Sequence, residues 1–208
     1  MTYILLDLLI YIFILTSCSS SQESLEIELL NDSVSITTGD SEVALTLACR
    51  NGGTENLLLY GIMSNLRTNA DIERLCNINR VGGGVGLMLL NQSMSPVHVI
   101  ESIPDSIDYK QYDNKHFSQE MEKGKARFLA GTRILKASEV LNLEMIVNIR
   151  QFNLKPGRYY IQMVYYAGKG LKDNFVVGEE QIEKDMKLFD AVLYQGCAVS
   201  NKISITVN

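Results

Sequence analysis

Cysteine is the most reactive residue type in this chain of 208 residues, and it occurs at positions 18, 49, 76 and 197. These positions are too far apart for a zinc site built from paired cysteines or for the C-x-x-C motif of thiol–disulfide enzymes. Cys18 directly follows an apolar segment, whereas Cys49, Cys76 and Cys197 lie in the rest of the chain. In an oxidising compartment, two of these three could form a disulfide and one thiol would remain. Three separate buried thiols are the alternative.

The other residue types that commonly catalyse reactions or bind metals are few and scattered. The two histidines are His98, in a short predicted strand, and His116, in a polar segment that also contains Asp113, Glu120 and Glu122. Imidazole and carboxylate groups together could ligate a metal, but a solvated loop is the simpler interpretation. The chain has no G-x-S-x-G motif and no cysteine close to a histidine in sequence. We therefore expect no catalytic residues and no metal site.

A glycine-rich segment, GGGVG at residues 82–86, invites comparison with phosphate-binding loops. Such loops are followed by the N-terminus of a helix, whose free N–H groups bind the phosphate. Here LMLL follows at residues 87–90 and is more typical of a strand. We therefore expect a turn at this position and no bound cofactor. The net charge of −5, with no run of lysine or arginine, also argues against a nucleic-acid partner.

The chain begins with an apolar segment that ends at Cys18. Residues 3–15 read YILLDLLIYIFIL, which is shorter than the roughly 20 apolar residues of a membrane-spanning helix. Its length is typical of the hydrophobic region of a signal peptide. The residues LTSC at 15–18 resemble the lipobox of bacterial lipoproteins. In that family the cysteine is acylated and becomes the first residue after cleavage. The resemblance therefore implies a lipid on Cys18 and a signal peptide of residues 1–17. An ordinary signal peptide, or an uncut N-terminal anchor, is the alternative.

Residues 18–24 read CSSSQES and have too few apolar groups to fold, so we interpret them as a polar tether. The resemblance to lipoproteins implies attachment to a membrane through the N-terminal lipid. Serine after Cys18 resembles the pattern for retention in the outer membrane. We therefore expect a lipid-anchored protein of the cell envelope, in the outer membrane. Residues 25–208 have the length and apolar content of a single domain.

Alternating apolar and polar residues dominate the rest of the chain. In VALTLAC at 43–49 and KISITV at 202–207, every second residue is apolar, as in a half-buried strand. Turn-forming residues separate several predicted strands, for example NGG at 51–53. The predicted strands cover residues 25–29, 43–49, 56–62, 85–91, 97–101, 127–135, 140–149, 159–166 and 202–207. Many short strands at this spacing indicate a sandwich or a barrel.

The segment LKPGRY at residues 154–159 gives the clearest indication of topology. Pro156 and Gly157 favour a chain reversal, and Tyr159 then enters the next strand. An L-x-P-G-x-Y step before an alternating strand and a final strand resembles the immunoglobulin-like sandwiches of exported bacterial proteins. In those domains the tyrosine often hydrogen-bonds back to the preceding loop. The resemblance therefore implies that Pro156, Gly157 and Tyr159 form a structural turn and corner.

Two segments depart from the strand pattern. Residues 178–188 have apolar residues at helical spacing among charged ones, which predicts a short amphipathic helix. Residues 105–125 are polar, and we interpret them as a long loop with at most one short helix. The predicted fold is therefore all-β: an immunoglobulin-like β-sandwich with one short inserted helix. In that topology Cys49, Cys76 and Cys197 would lie near one end, where two of them could form a disulfide.

These predictions favour a lipid-anchored, non-catalytic binding or interaction module of the cell envelope. Its partner would be an envelope protein or a glycan, bound by loops around residues 69–80 and 171–195 at one end of the sandwich. The alternative is a small envelope hydrolase, or a protease-inhibitor-like domain, that works from residues 105–125. A structural module for assembly or adhesion is a third hypothesis.

Overall fold

The computed structural model describes residues 24–63, 66–68, 72–77, 82–97, 114–168, 171 and 177–208. Within these residues most of the regular structure is β-strand, as the sequence predicts. The strands are β1 (Leu25–Leu29), β2 (Ser33–Ile36), β3 (Glu42–Asn51), β4 (Asn56–Leu59), β5 (Leu66–Thr68), β6 (Gly83–Leu90), β7 (Arg133–Leu135), β8 (Val140–Asn148), β9 (Gly157–Ala167), β10 (Ala191–Leu193) and β11 (Gly196–Val207). The helices are α1 (Ile72–Leu75), α2 (Asn114–Ala130), α3 (Glu179–Phe189) and a 3-10 helix at Arg150–Phe152.

Two main sheets pack face to face. The first has the antiparallel order β1-β3-β8, and the second has the order β2-β11-β9-β6-β5. In the second sheet β11, β9 and β6 are antiparallel neighbours, whereas β2 joins β11 and β5 joins β6 in parallel. The side chains of both sheets share one apolar core. Strands divided between two sheets in this order define an immunoglobulin-like β-sandwich, which confirms the predicted fold class.

Side chains that point between the sheets alternate with side chains that point outward, because successive residues of a strand face opposite sides. In β3, Val43, Leu45, Leu47 and Cys49 are buried, as the alternation predicts. The second sheet contributes a matching set of buried side chains: Val85, Leu87, Leu89, Ile161, Met163, Tyr165, Ile203 and Ile205. Burial of one aliphatic side chain contributes about 1.5–3 kcal/mol, so this core is the main source of stability.

The buried residue Asn51 ends β3 and organises an extension of the first sheet. Its side-chain amide donates to the carbonyl oxygens of Glu55 (2.7 Å), Leu135 (3.1 Å) and Lys136 (3.1 Å). Its Oδ1 accepts a hydrogen bond from the N–H of Gly53 at 2.9 Å. Beyond these turns β4 pairs with β7, much as β3 pairs with β8. β10 joins β4 in parallel, which completes a small third sheet.

The two longer helices α2 and α3 are held to this small sheet by a second apolar cluster. Its buried members are Leu58, Tyr60, Phe128, Leu171, Val177, Ile182, Ala191 and Leu193. The ring of Phe128, near the end of α2, stacks on Tyr60 with ring centroids 6.3 Å apart. It also covers Gly61, which has a φ of 68°, and a Cβ at that position would overlap the Phe128 ring. Backbone conformation and space therefore both require glycine at position 61.

The interpretation of residues 114–135 from sequence was wrong in two respects. The strand predicted at 127–135 is instead the end of α2 followed by a turn, and only Arg133–Leu135 is a strand. The segment 105–125, interpreted as a loop with at most one short helix, belongs from residue 114 onward to a helix of 17 residues. Residues 105–113 lie outside the described part of the chain. Nine of its 17 residues are lysine, glutamate, glutamine, methionine or alanine, which have high helix propensity.

The predicted amphipathic helix at 178–188 is confirmed by α3, which spans Glu179–Phe189. Ile182 is its buried residue and anchors it in the second apolar cluster. Asp190 follows in the left-handed conformation and donates its N–H to the carbonyl of Met186, which ends the helix. The strand predicted at 97–101 lies outside the described residues except for Val97.

Candidate functional site

The structure joins two of the three cysteines whose pairing the sequence left open. Cys76 and Cys197 form a disulfide, with Cα atoms 5.1 Å apart. Cys197 lies in β11 and Cys76 directly follows α1, so the bond holds α1 on the outer face of the five-stranded sheet, where Leu75 packs against Val164. Cys49 is free and buried, and burial raises the pKa of its thiol to about 12. The Cys49 thiol is therefore protonated at neutral pH and is not an activated nucleophile.

The predicted corner residues lie together at the start of β9. The hydroxyl of Tyr159 donates to the carbonyl oxygen of Lys155 at 3.0 Å, across the turn that contains Pro156 and Gly157. Gly157 has a φ of 153°, which residues with a Cβ rarely adopt. The ring of Tyr159 also packs against the main core. These contacts set the point at which β9 enters its sheet.

The remaining candidates are only partly described. Cys18, His98 and Asp113 lie outside the described residues, and His116 lies in α2. Within the described ranges, no group of three or more histidine, cysteine, aspartate or glutamate side chains is placed to hold a metal ion. No helix among these residues has the length and apolarity needed to cross a bilayer.

Three tyrosines link the main core to the small sheet. Tyr60 donates a hydrogen bond to Asp185 Oδ2 at 2.6 Å, and Tyr165 donates one to the carbonyl of Tyr60 at 3.1 Å. Tyr194 lies beside Tyr165, with ring centroids 5.6 Å apart, and its hydroxyl has no hydrogen-bond partner within the described part of the chain. Burial is the main cause that raises the pKa of all three phenols, to about 12 for Tyr194. Phenols of this kind stay protonated at neutral pH and do not act as general bases there.

The outer face of the first sheet forms a groove, which we call the outer trough. Its floor is the outward side of β3: Ala48 and Arg50 line the cavity itself, and Thr46 and Ala44, with short side chains, follow along the same face. β1 lies on one side of β3 and β8 on the other, and they form the two walls. The cavity above Ala48 has a volume of ≈ 480 Å³. Because neighbouring strands are about 4.8 Å apart, the walls are about 10 Å apart, which is wide enough for one extended chain.

Side chains from the three strands line up in rows across the outer trough. From β1 to β8 the rows are Glu26–Arg50–Val140, Glu28–Ala48–Asn142 and Leu30–Thr46–Glu144. Leu30 and Val140 are 46% and 47% exposed and lie in opposite walls. These two side chains are available for apolar contacts with a ligand that lies between the walls. The rows contain three glutamates and one arginine, so the trough has a net negative charge.

Asn201 closes the trough at the outer edge of β1. It lies where the register between β11 and β9 shifts. Its Oδ1 accepts a hydrogen bond from the N–H of Leu29 at 2.7 Å, and its Nδ2 donates one to the carbonyl of Leu29 at 3.0 Å. This pair of bonds ties the two sheets together at the rim of the trough. Sequence reasoning missed Asn201, although the SN pair at 200–201 interrupts the alternation of the last strand.

Two other grooves are less suited to a protein ligand. One, of ≈ 210 Å³, lies between the 37–40 turn and the 3-10 helix and is lined mainly by polar atoms. The other, of ≈ 610 Å³, is a shallow opening between the end of α3 and the start of β4. Neither combines a floor of short side chains with apolar side chains on both walls, as the outer trough does.

The loops that the sequence favoured as a binding end contribute to the packing of the domain where they are described. In the 69–80 segment, α1 is held by the disulfide against the five-stranded sheet. In the 171–195 segment, α3 and β10 enclose the second apolar cluster. Residues 69–71, 78–80 and 172–176 of these segments lie outside the described part of the chain, so binding by the loops stays a prediction. Among the described residues, the outer trough is the candidate interaction surface.

Comparison with known proteins adds little to this picture. No family model matches the chain, and no curated protein matches it. Among solved structures, it is similar to the ASH/PapD-like domain of human CEP192 (PapD-like domain 7), at 9% identity. The match covers 92% of this chain and 90% of that chain, with a TM-score of 0.30. A likeness at this level is too weak to inform function, and the fold assignment above rests on the strand order.

Proposed function

We propose that this chain is a lipid-anchored, non-catalytic interaction module of the cell envelope, and that the outer trough binds an extended, positively charged segment of a partner protein. The observation that carries the proposal is the shape and chemistry of the trough. Its floor of short side chains leaves room for one extended chain, and the exposed side chains of Leu30 and Val140 offer apolar contacts on both walls. The glutamates in its rows favour a ligand of opposite charge.

The location in the envelope is supported by two observations. The LTSC residues at 15–18 resemble a lipobox. The Cys76–Cys197 disulfide also favours an oxidising compartment, because cytosolic thiols are kept reduced. Two or more acyl chains on a terminal cysteine would hold the chain stably at a membrane, whereas a single chain would not.

Binding can be tested with a short synthetic peptide of alternating lysine and valine and with its glutamate counterpart, by fluorescence anisotropy. We expect the lysine peptide to bind and the glutamate peptide to bind more weakly. Glu28→Lys should weaken binding of the lysine peptide about 2- to 5-fold, since one exposed ion pair contributes about 0.2–1 kcal/mol. Glu183→Lys is the matched control, because it makes the same change on the exposed side of α3.

A second pair of variants separates the trough from the rest of the surface. Ala48→Tyr should fill the floor of the trough and abolish peptide binding. Thr206→Tyr adds the same ring to an exposed position on the other sheet and should leave binding unchanged. Equal binding by both variants would place the ligand elsewhere and would overturn the proposed site.

Lipid attachment is tested separately. Metabolic labelling with a fatty-acid analogue should label the wild-type chain but not Cys18→Ala, and globomycin should block processing. A Cys18→Ala chain that loses its leader and still fractionates with the envelope would contradict anchoring by a lipid at this residue.

A further inference from the structure

β8 is a long strand at the edge of the first sheet, and no strand of the described residues pairs with its outer side. At the two ends of β8, the N–H of Asn51 donates to the carbonyl of Glu139, and the N–H of Ile149 donates to the carbonyl of Ser41. The odd-numbered residues of β8 therefore hydrogen-bond to β3. The even-numbered residues of β8 therefore direct their N–H and C=O groups away from β3. Within the described residues, these groups have no hydrogen-bond partner at positions 140, 142, 144 and 146.

Natural proteins usually protect such an edge, because it can pair with a strand from another chain. The outward side chains of β8 give it little protection. Val140 and Ile146 are apolar and 47% and 70% exposed, and Glu144 is the charged residue of the strand. Ile146 has the largest exposed fraction among the large apolar residues of the described chain. Among the described residues, this edge therefore has few of the features that prevent pairing with a strand of another chain.

The sequence of β8 is chemically symmetrical about Leu143. It reads V-L-N-L-E-M-I from residue 140 to 146, so that equal distances from Leu143 carry residues of the same character. We propose that two copies of this chain form a symmetrical dimer in which β8 pairs antiparallel with β8 of the second copy, with Leu143 opposite Leu143. The two three-stranded sheets would then form one continuous six-stranded sheet.

This register matches side chains on both faces of the new sheet. On the outer face, Val140 lies opposite Ile146 of the second copy and Asn142 lies opposite Glu144, whose carboxylate can accept a hydrogen bond from the amide. On the inner face, the partly exposed side chains of Leu141 and Met145 lie opposite each other. The even-numbered residues also meet as hydrogen-bonded pairs, as their outward-pointing backbone groups require.

The neighbouring symmetrical registers are less favourable. A dimer centred on Glu144 would place two carboxylates directly opposite each other, which is destabilising. A dimer centred on Asn142 would place Glu144 against Val140. A dimer centred on Met145 would place Glu144 against Ile146. The register centred on Leu143 is thus the one that pairs apolar with apolar and polar with polar throughout.

This proposal goes beyond the proposed function and does not depend on it. It rests on the outward backbone groups of β8, whereas peptide binding rests on the space between β1 and β8, although β8 takes part in both. A single pair of strands buries less area than a standard stable interface. We therefore expect a weak, concentration-dependent dimer, which anchoring to a membrane would favour by raising the local concentration.

The first experiment measures the oligomeric state of the full chain in detergent by analytical ultracentrifugation. Asn142→Lys places a lysine opposite Glu144 of the second copy and should tighten the dimer roughly tenfold, whereas Asn142→Glu should weaken it by a similar factor. Ala44→Lys and Ala44→Glu are matched controls, because Ala44 is exposed on the same face but one strand in from the edge. These controls should not change the dimer constant. A wild-type chain and an Asn142→Lys chain that both stay monomeric up to the solubility limit would overturn the proposal.

The second experiment tests the register with two exposed positions. Asn142→Cys and Glu144→Cys chains carrying different tags are mixed and oxidised. Cα atoms of a hydrogen-bonded cross-strand pair are about 5.5 Å apart, which suits a disulfide. We expect cross-links between differently tagged chains, and few when either variant is oxidised alone. Efficient cross-linking of Glu144→Cys alone, or none in the mixture, would show that the register centred on Leu143 is wrong.

Discussion

At the scale of single residues, Tyr194 is the described residue whose buried polar group lacks a hydrogen bond. Its side chain is fully buried, but its hydroxyl has no hydrogen-bond partner among the described residues. A buried polar group without a partner costs about 1–3 kcal/mol. We therefore expect Tyr194→Phe to raise the free energy of unfolding by about 1 kcal/mol, measured by urea denaturation.

The neighbouring Tyr165 provides the control. Its hydroxyl donates to the carbonyl of Tyr60, so Tyr165→Phe removes a buried hydrogen bond and should lower the free energy of unfolding by about 1 kcal/mol. The two variants delete the same atom from touching rings, and the opposite signs follow from the hydrogen bond alone. A loss of stability in Tyr194→Phe would contradict the absence of a partner.

At the scale of elements, α1 depends on the disulfide more than any other helix. It spans only Ile72–Leu75, too short to be stable alone. Cys76→Ala combined with Cys197→Ala opens a loop of 121 residues and should lower the free energy of unfolding by about 2–5 kcal/mol. Hydrogen exchange of residues 72–77 should rise more than that of β9. Unchanged exchange there would show that apolar contacts with Val164 and Tyr166 are sufficient to hold α1.

Strands with several alternating residues could be predicted from sequence, and they form the sandwich. β1, β3, β8, β9 and β11 all lie at or near the predicted positions. β2, β5 and β10 were missed because three or four residues are too few to show a period. α2 was misjudged because most of its described side chains face solvent, so its sequence lacks the apolar stripe of a buried helix.

The outer trough could not be predicted, because none of its residues is unusual by type. Ala44, Thr46 and Ala48 read as the polar or small half of an ordinary alternating strand. They become the floor of a groove only because β1 and β8, which are distant in sequence, lie on either side with longer side chains. The same holds for Asn201, whose partner Leu29 lies 172 residues away.

At the scale of the whole molecule, buried ionisable groups predict how stability depends on pH. The thiol of Cys49 and the phenols of Tyr60, Tyr165 and Tyr194 all have raised pKa values in the folded chain, from ordinary values of 9.0 and 10.0. The unfolded chain releases these protons first, so their contribution is fully present below about pH 9 and is lost as the pH rises towards about 12.

We therefore expect these groups to leave the free energy of unfolding, measured in urea, unchanged near neutral pH. Above about pH 9 they should make it fall steeply. In Tyr194→Phe the free energy of unfolding should fall less steeply with pH, because one proton fewer is released on unfolding. A stability that stays level up to pH 12 would show that these groups reach solvent in the folded chain.

The position of β1 also limits what the trough can capture. With a lipid on Cys18, only the polar tether of residues 18–24 would separate the bilayer from Leu25. The contour length of this tether is at most about 25 Å. Because β1 directly follows this tether and is one wall of the trough, a ligand in the trough would lie near the lipid headgroups. The lipid-anchored module would therefore bind partner segments that lie close to the membrane, and not molecules that stay farther away.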